Sequence, residues 1–196
     1  VKTLKAAVVD RREAMQLLMG YNSFNGYVWN KLFDLQLIRE KDIRFHADYP
    51  ACEDTMFVGS YLYHCSRVCV TEECLYCYRQ VSGGANRGRY SGRKAYDPKW
   101  MSVFEMTEYM ADLYKDDAVT AACRLHEVRE AGIVLRSMEA AGYHGADHAR
   151  LKGILRRGAS LFFRDENSGR SQKLSVLLSC ISPKLELAVW KLRNRK

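Results

Sequence analysis

The chain has 196 residues, of which 47% are apolar and 28% charged, with 3 prolines and a formal net charge of +8. That is enough apolar material for a buried core, which excludes a disordered tail or a proline-rich linker protein. Mean hydropathy is −0.34, and no window approaches the roughly 18 uninterrupted apolar residues of a membrane span, nor does a signal-peptide pattern open the chain.

Residues 1–9 fit a strand or a helix start. Asp10, with Glu13 three positions on, predicts a capped helix through Met19 that Gly20 closes. A loop follows over 22–26, and 27–33 reads as a strand or extended turn. Asp34 caps a short helix to about Lys41, and 43–45 is extended. A loop over 46–52 leads to Glu53 and Asp54, which open a helix to about Cys65 with Met56, Phe57, Tyr61 and Leu62 on one face. Strands are expected at 67–70 and 74–81. The segment 82–94 is rich in Gly and Arg and reads as a flexible loop or linker. Beyond Pro98, helices are predicted over about 100–114, 118–141, 146–157, 172–180 and 183–195, the last with Pro183 at a first helical position. The chain therefore divides into a mixed α/β part at 1–82, a Gly/Arg-rich linker at 83–97 and an α-helical part at 98–196.

Charge is unevenly spread. Residues 101–150 hold 5 basic and 9 acidic side chains, whereas 151–196 hold 11 and 3. A basic C-terminal end suits an anionic partner, or simply a solvated helical face. The seven cysteines are odd in number and do not suggest a secreted disulfide framework. Four of them, Cys65, Cys69, Cys74 and Cys77, lie close enough in sequence for a thiolate zinc shell to be considered. Their segments alternate like strands, however, which points neighbouring side chains to opposite faces. The expectation is reduced thiols, no zinc and a cytoplasmic setting.

Glu53 and Asp54 sit where a loop enters a helix, and the free N–H groups there favour ionised carboxylates. Such a pair is either an ordinary acidic first turn or a catalytic base with its neighbour. Around it lie Trp29-Asn30-Lys31-Leu32-Phe33, Leu37-Ile38, Ile43-Arg44-Phe45, Glu53-Asp54-Thr55-Met56-Phe57 and Tyr76-Cys77-Tyr78-Arg79. In that order and at that spacing, over roughly residues 10–82, these segments resemble the C-terminal part of a bacterial family 2 glycosyltransferase.

The resemblance implies a partial GT-A, Rossmann-like α/β half followed by an α-helical extension. It implies part of an inverting, hexosyltransferase-type enzyme that moves a sugar from a nucleotide-sugar donor to a glycan or lipid-linked acceptor in cell-surface polysaccharide biosynthesis. Asp54 would be the general base and Glu53 would orient the acceptor. Arg79 and Lys31 would bind the donor diphosphate, with Arg87 and Arg89 assisting, and Trp29 would stack on sugar. A divalent metal, Mg or Mn, is expected in the intact enzyme. Only 28 residues precede Trp29, and no D-x-D occurs anywhere in the chain. The expectation is therefore a portion of a longer enzyme, inactive alone, whose nucleotide-binding half and metal site lie elsewhere.

The alternative is a non-catalytic basic module that binds an anionic membrane surface or nucleic acid. No helix-turn-helix or zinc-finger spacing is present, and the Arg/Gly loop has few interleaved aromatics, which argues against nucleic acid. Ile181, Leu185, Ala188, Val189 and Leu192 recur at helical spacing among Lys184, Lys191, Arg193, Arg195 and Lys196. That stripe either lies in a membrane interface, making the protein peripheral at the inner face of a membrane, or packs on the preceding helices.

Overall fold

The computed structural model describes residues 7–20, 24–71, 73–79 and 96–194, and 65% of these are helical. The elements run β1 (Ala7–Val9), α1 (Arg11–Met19), α2 (Leu35–Glu40), α3 (Glu53–Tyr63), β2 (Val68–Val70), α4 (Ser102–Tyr114), α5 (Asp117–Ala141), α6 (Ala146–Arg164), α7 (Arg170–Ile181) and α8 (Pro183–Arg193). A 3-10 turn, Pro98–Met101, leads into α4.

Several helix starts follow from short polar side chains that accept otherwise unpaired N–H groups. The Asp10 carboxylate accepts from Glu13 N at 2.9 Å, that of Asp34 from Gln36 N at 2.8 Å, and that of Asp116 from Ala118 N and Val119 N at 3.0 and 3.1 Å. The Ser182 hydroxyl accepts from Leu185 N, with Pro183 as the first residue of α8.

Two compact units are present. One comprises the described residues of 1–79 and 102–123. In it α1 and α4 both pack on α3, around Met15, Met19, Met56, Met106 and Met110 with Leu18, Leu62 and Val103. Burying these side chains supplies the stabilisation, about 1.5–3 kcal/mol for each large one relative to exposure. The Tyr114 hydroxyl donates to the Gly59 carbonyl at 3.0 Å and ties α4 to α3. The other unit comprises the described residues of 80–101 and 124–196. There α7 packs against both α6 and α8, and Val134, Leu135, Met138, Leu151, Leu155 and Phe162 are fully buried.

This architecture corrects the expected fold class. A Rossmann-like half is built from parallel strands joined by crossover helices. Among the described residues the only sheet is two-stranded and joins β1 to β2 antiparallel, with Ala7 opposite Val70 and Val9 opposite Val68. The segments 27–33 and 73–79 form no strand. Their alternating aromatic side chains are accommodated by ring-on-ring packing rather than by a backbone ladder.

The C-terminal stripe has a definite placement. Pro183, Glu186 and Leu187 form the buried face of α8. Ile181, Leu185, Ala188 and Leu192 are exposed instead. Among the described residues no helix is long and apolar enough to cross a membrane.

Candidate functional site

Glu53 and Asp54 are the first two residues of α3. Cys52 precedes them without a side-chain cap, so the N–H groups of the first turn are available to anionic groups. Glu53 is exposed and Asp54 half-buried. The loop 24–31 is seated directly against this turn. A methyl group added at Gly26 would collide with the Thr55 side chain and come within 2.9 Å of its Cα. Only glycine permits that approach.

Lys31 closes the same loop. Its ammonium donates to the carbonyls of Phe24, Asn25 and Tyr27 at 3.1, 2.7 and 2.7 Å, and to Asn30 Oδ1 at 2.8 Å. An ammonium has three N–H donors, so these four acceptors leave none for a donor diphosphate. Burial lowers the Lys31 pKa to about 8, while the nearby Asp54 carboxylate acts in the opposite sense.

The same loop carries part of an aromatic cluster. The Trp29 ring stacks on Tyr27 at 5.3 Å and on Tyr78 at 5.0 Å, and meets Tyr76 at 4.9 Å. Each such pair contributes about 0.5–1.5 kcal/mol beyond simple burial. The tyrosines of this cluster are open to solvent, with Tyr27, Tyr76 and Tyr78 exposed by 41%, 54% and 53%. A second ring cluster ties Phe33 and Phe45 to α3. Phe33 meets Phe57 edge-on at 5.4 Å and Tyr61 at 5.0 Å, and Phe45 stacks on Phe57 at 4.4 Å. The Tyr61 hydroxyl accepts from Asp34 N at 2.8 Å.

Of the sequence-identified residues, the structure brings Lys31 within the field of Asp54 and places Trp29 in the same loop as Lys31, against Tyr27, Tyr76 and Tyr78. Arg79 is exposed and follows Tyr76 and Tyr78 in the chain. Arg87 and Arg89 lie outside the described residues, as does most of the expected 83–97 linker. Tyr27, Tyr76 and Tyr78 enter the site as well. Their signal in the sequence is the alternation of aromatic with small or polar residues on either side of the carboxylate pair. Chemically, the exposed tyrosine rings stacked on Trp29 are apolar groups of the kind that meet the face of a sugar ring, and the carboxylates that open α3 are of the kind that take a hydroxyl proton.

The divalent metal that the resemblance implies would need carboxylate donors on the diphosphate side. Among the described residues no group of three metal-donor side chains gathers around Asp54, so the residues present do not fit it and no step is drawn through it. Nor do Cys65, Cys69, Cys74 and Cys77 gather into a donor cluster among the described residues, and the seven cysteines are not joined in disulfides. Burial pushes the Cys65 thiol pKa upward, which makes it a weaker nucleophile and ligand. One cluster of donors does form, in the other unit, from Glu139, His144 and His148. Its signal in the sequence is two histidines four residues apart following a glutamate.

Comparison with protein-family models, with curated proteins and with solved structures returns no match. Function rests here on chemistry and geometry.

Proposed function

We propose that the unit holding α3 is the acceptor-binding, proton-abstracting part of an inverting, sugar-nucleotide-dependent glycosyltransferase. The observation that carries this reading is that segments far apart in the chain meet through the loop 24–33, part of which lies against the start of α3. Trp29 reaches Tyr76 and Tyr78, Phe33 and Phe45 reach Phe57, and Lys31 lies within the field of Asp54. The acceptor sugar lies against the exposed tyrosines Tyr27, Tyr76 and Tyr78, which pack on Trp29. Glu53 accepts a hydrogen bond from it and fixes its orientation. Asp54 takes the proton of the attacking hydroxyl as its oxygen bonds to the anomeric carbon. The bond from that carbon to the diphosphate oxygen breaks, and the electron pair leaves with the nucleoside diphosphate. Arg79 is the guanidinium placed after Tyr76 and Tyr78 in the chain, and a guanidinium suits the leaving diphosphate. Lys31 positions the loop.

In the intact protein, Asp54→Asn keeps the hydrogen-bonding shape of the side chain and removes the base. Turnover of nucleotide-sugar donor should fall by on the order of a hundredfold or more. Near-normal turnover in a folded Asp54→Asn protein rejects the assignment.

A second reading concerns the other unit, where the exposed Leu174, Leu177, Ile181, Leu185 and Leu192 follow one another along α7 and α8, with the exposed Lys184, Lys191 and Arg193 among them. An apolar face bordered by cations suits the surface of an anionic membrane, where each nearby Lys or Arg contributes about 1 kcal/mol. Such attachment would make the protein peripheral and suits a lipid-linked acceptor. Flotation with phosphatidylserine-containing vesicles should recover the chain at low salt. Leu185→Glu/Leu192→Glu should abolish recovery without unfolding, and unchanged flotation in that variant rejects the reading.

A further inference from the structure

The turn between α5 and α6 brings together three side chains that the glycosyl-transfer reading leaves unused. Glu139 lies in the last turn of α5. The N–H of Gly142 bonds to the Glu139 carbonyl at 3.2 Å and that of Tyr143 to the Met138 carbonyl at 2.9 Å, a left-handed helix close of the Schellman type. Gly142 has φ 68°, a conformation that favours glycine. His144 follows at once, and His148 lies in the first turn of α6. His148 Nε2 stands 2.8 Å from Glu139 Oε1, and His144 Nδ1 stands 3.9 Å from the same oxygen. One donor atom from each of the three falls within 4.8 Å of the others. The turn is braced by its neighbours. The Tyr143 ring packs on Tyr96 at 4.7 Å, and the Tyr96 hydroxyl donates to Asp147 Oδ2 at 3.1 Å. A ligand set held by packed supporting residues needs little reorganisation to bind.

We propose that Glu139, His144 and His148 bind one zinc-type divalent cation, with a fourth position open to an adjoining cavity. Two imidazole nitrogens and one carboxylate oxygen suit zinc, whereas magnesium and calcium take oxygen ligands almost exclusively. Tetrahedral zinc with bonds of about 2.0–2.2 Å sets its donors about 3.3 Å apart. The separations of 2.8 and 3.9 Å bracket that value, so the ion fits with small side-chain movements. The competing account is a His148–Glu139 hydrogen bond with the His144 ring packed edge-on against His148 at 5.1 Å, and it gives no stoichiometric metal binding.

Three protein ligands and an open position characterise zinc sites that take an exchangeable ligand rather than structural ones. The cavity measures about 320 Å³ and is lined by Lys152, Lys184, Ile181, Ser182 and Pro183 besides the three ligands. Zinc offset by a single carboxylate keeps positive charge, and Lys152 and Lys184 add more. The exchangeable ligand is therefore an oxyanion, of phosphate or carboxylate type.

The experiment is calorimetric titration of the metal-free chain with zinc chloride. Cys69, Cys74 and Cys77 are replaced by Ser first, because exposed thiolates also bind zinc. One equivalent should bind with micromolar or tighter affinity. His148→Ala and Glu139→Gln should each weaken it at least about tenfold. His144 has a half-exposed side chain, so His144→Asn keeps the fold intact and should also weaken binding at least about tenfold. Cobalt in place of zinc should show tetrahedral absorption without thiolate charge transfer, shifted by added inorganic phosphate. Absence of stoichiometric binding at about 100 µM metal overturns the proposal. So does an affinity unchanged in folded His144→Asn, and a cobalt spectrum that phosphate leaves unmoved overturns the oxyanion assignment.

Discussion

Removing the guanidinium of Arg136 should destabilise the helical unit far more than removing it together with its partner. Arg136 Nη1 donates to Glu186 Oε1 at 2.8 Å, and the two side chains are only 10% and 3% exposed. The Ser175 hydroxyl donates to the same oxygen at 2.6 Å, the Arg136 guanidinium lies 5.0 Å from the Trp190 ring centre, and Glu186 Oε2 is buried without a hydrogen-bond partner. At such burial there is little solvent screening to discount. Arg136→Met leaves a buried carboxylate with one hydroxyl, and Glu186→Leu leaves a buried cation with one aromatic face. Each should cost about 3–5 kcal/mol. The pair is itself incompletely satisfied, because Oε2 is buried and meets no donor among the described residues. Arg136→Met/Glu186→Leu should therefore come out neutral, or more stable than the original by about 1–4 kcal/mol. Urea denaturation followed by far-ultraviolet circular dichroism on the four proteins closes the cycle, with equal slopes required for comparison. The reasoning fails if either single variant loses less than about 1 kcal/mol, or if the double variant loses the sum of the two.

Gly26→Ala should cost about 1–3 kcal/mol and shift Trp29 emission, because the loop must leave the Thr55 backbone; unchanged stability and fluorescence would mean the contact is not tight. Tyr114 gives a pH effect of defined sign. Burial raises its pKa above the ordinary tyrosine value, so above about pH 10 the folded chain holds a proton that the unfolded chain has released. Stability is then fully present below that pH and declines as pH rises through it. Tyr114→Phe should flatten the decline while losing about 0.5–1.5 kcal/mol at neutral pH for the bond to Gly59, and an alkaline slope identical to that of the parent protein would refute this.

Local chemistry made some elements readable from the sequence. Asp10 with Glu13 marks α1, Ser182 with Pro183 marks α8, and the Glu53–Asp54 pair marks the start of α3, because a helix start is set by residues within one turn. The expectation of a strand or extended turn at 27–33 and of a strand at 74–81 has a physical reason. Side chains that alternate every second residue serve a pleated ladder and a ring-stacked loop equally well, and only the partner decides between them. Here Trp29 finds Tyr76 and Tyr78 across nearly fifty positions, which no local rule anticipates. The metal-donor cluster was hidden because Glu139 and His148 sit on different helices and meet only through the left-handed turn at Gly142. In α8 the apolar spacing was legible but its direction was not. Leu187 and Pro183 give the helix a second apolar side, and the pairing of Glu186 with Arg136 accompanies burial of that side.

All seven methionines are buried, none more than 7% exposed, and five of them line the core of the unit holding α3. Thioether sulfur is oxidised by peroxide only when the oxidant reaches it, and each oxidation turns an apolar side chain into a polar one that the cavity cannot solvate. Oxidation therefore acts as a one-way ratchet on breathing. Each rare opening that admits peroxide at Met15 or Met110 leaves a mark that hinders reclosure, so damage accelerates once begun. The order in which the seven sulfoxides appear by mass spectrometry would be a record of which parts of the chain open first.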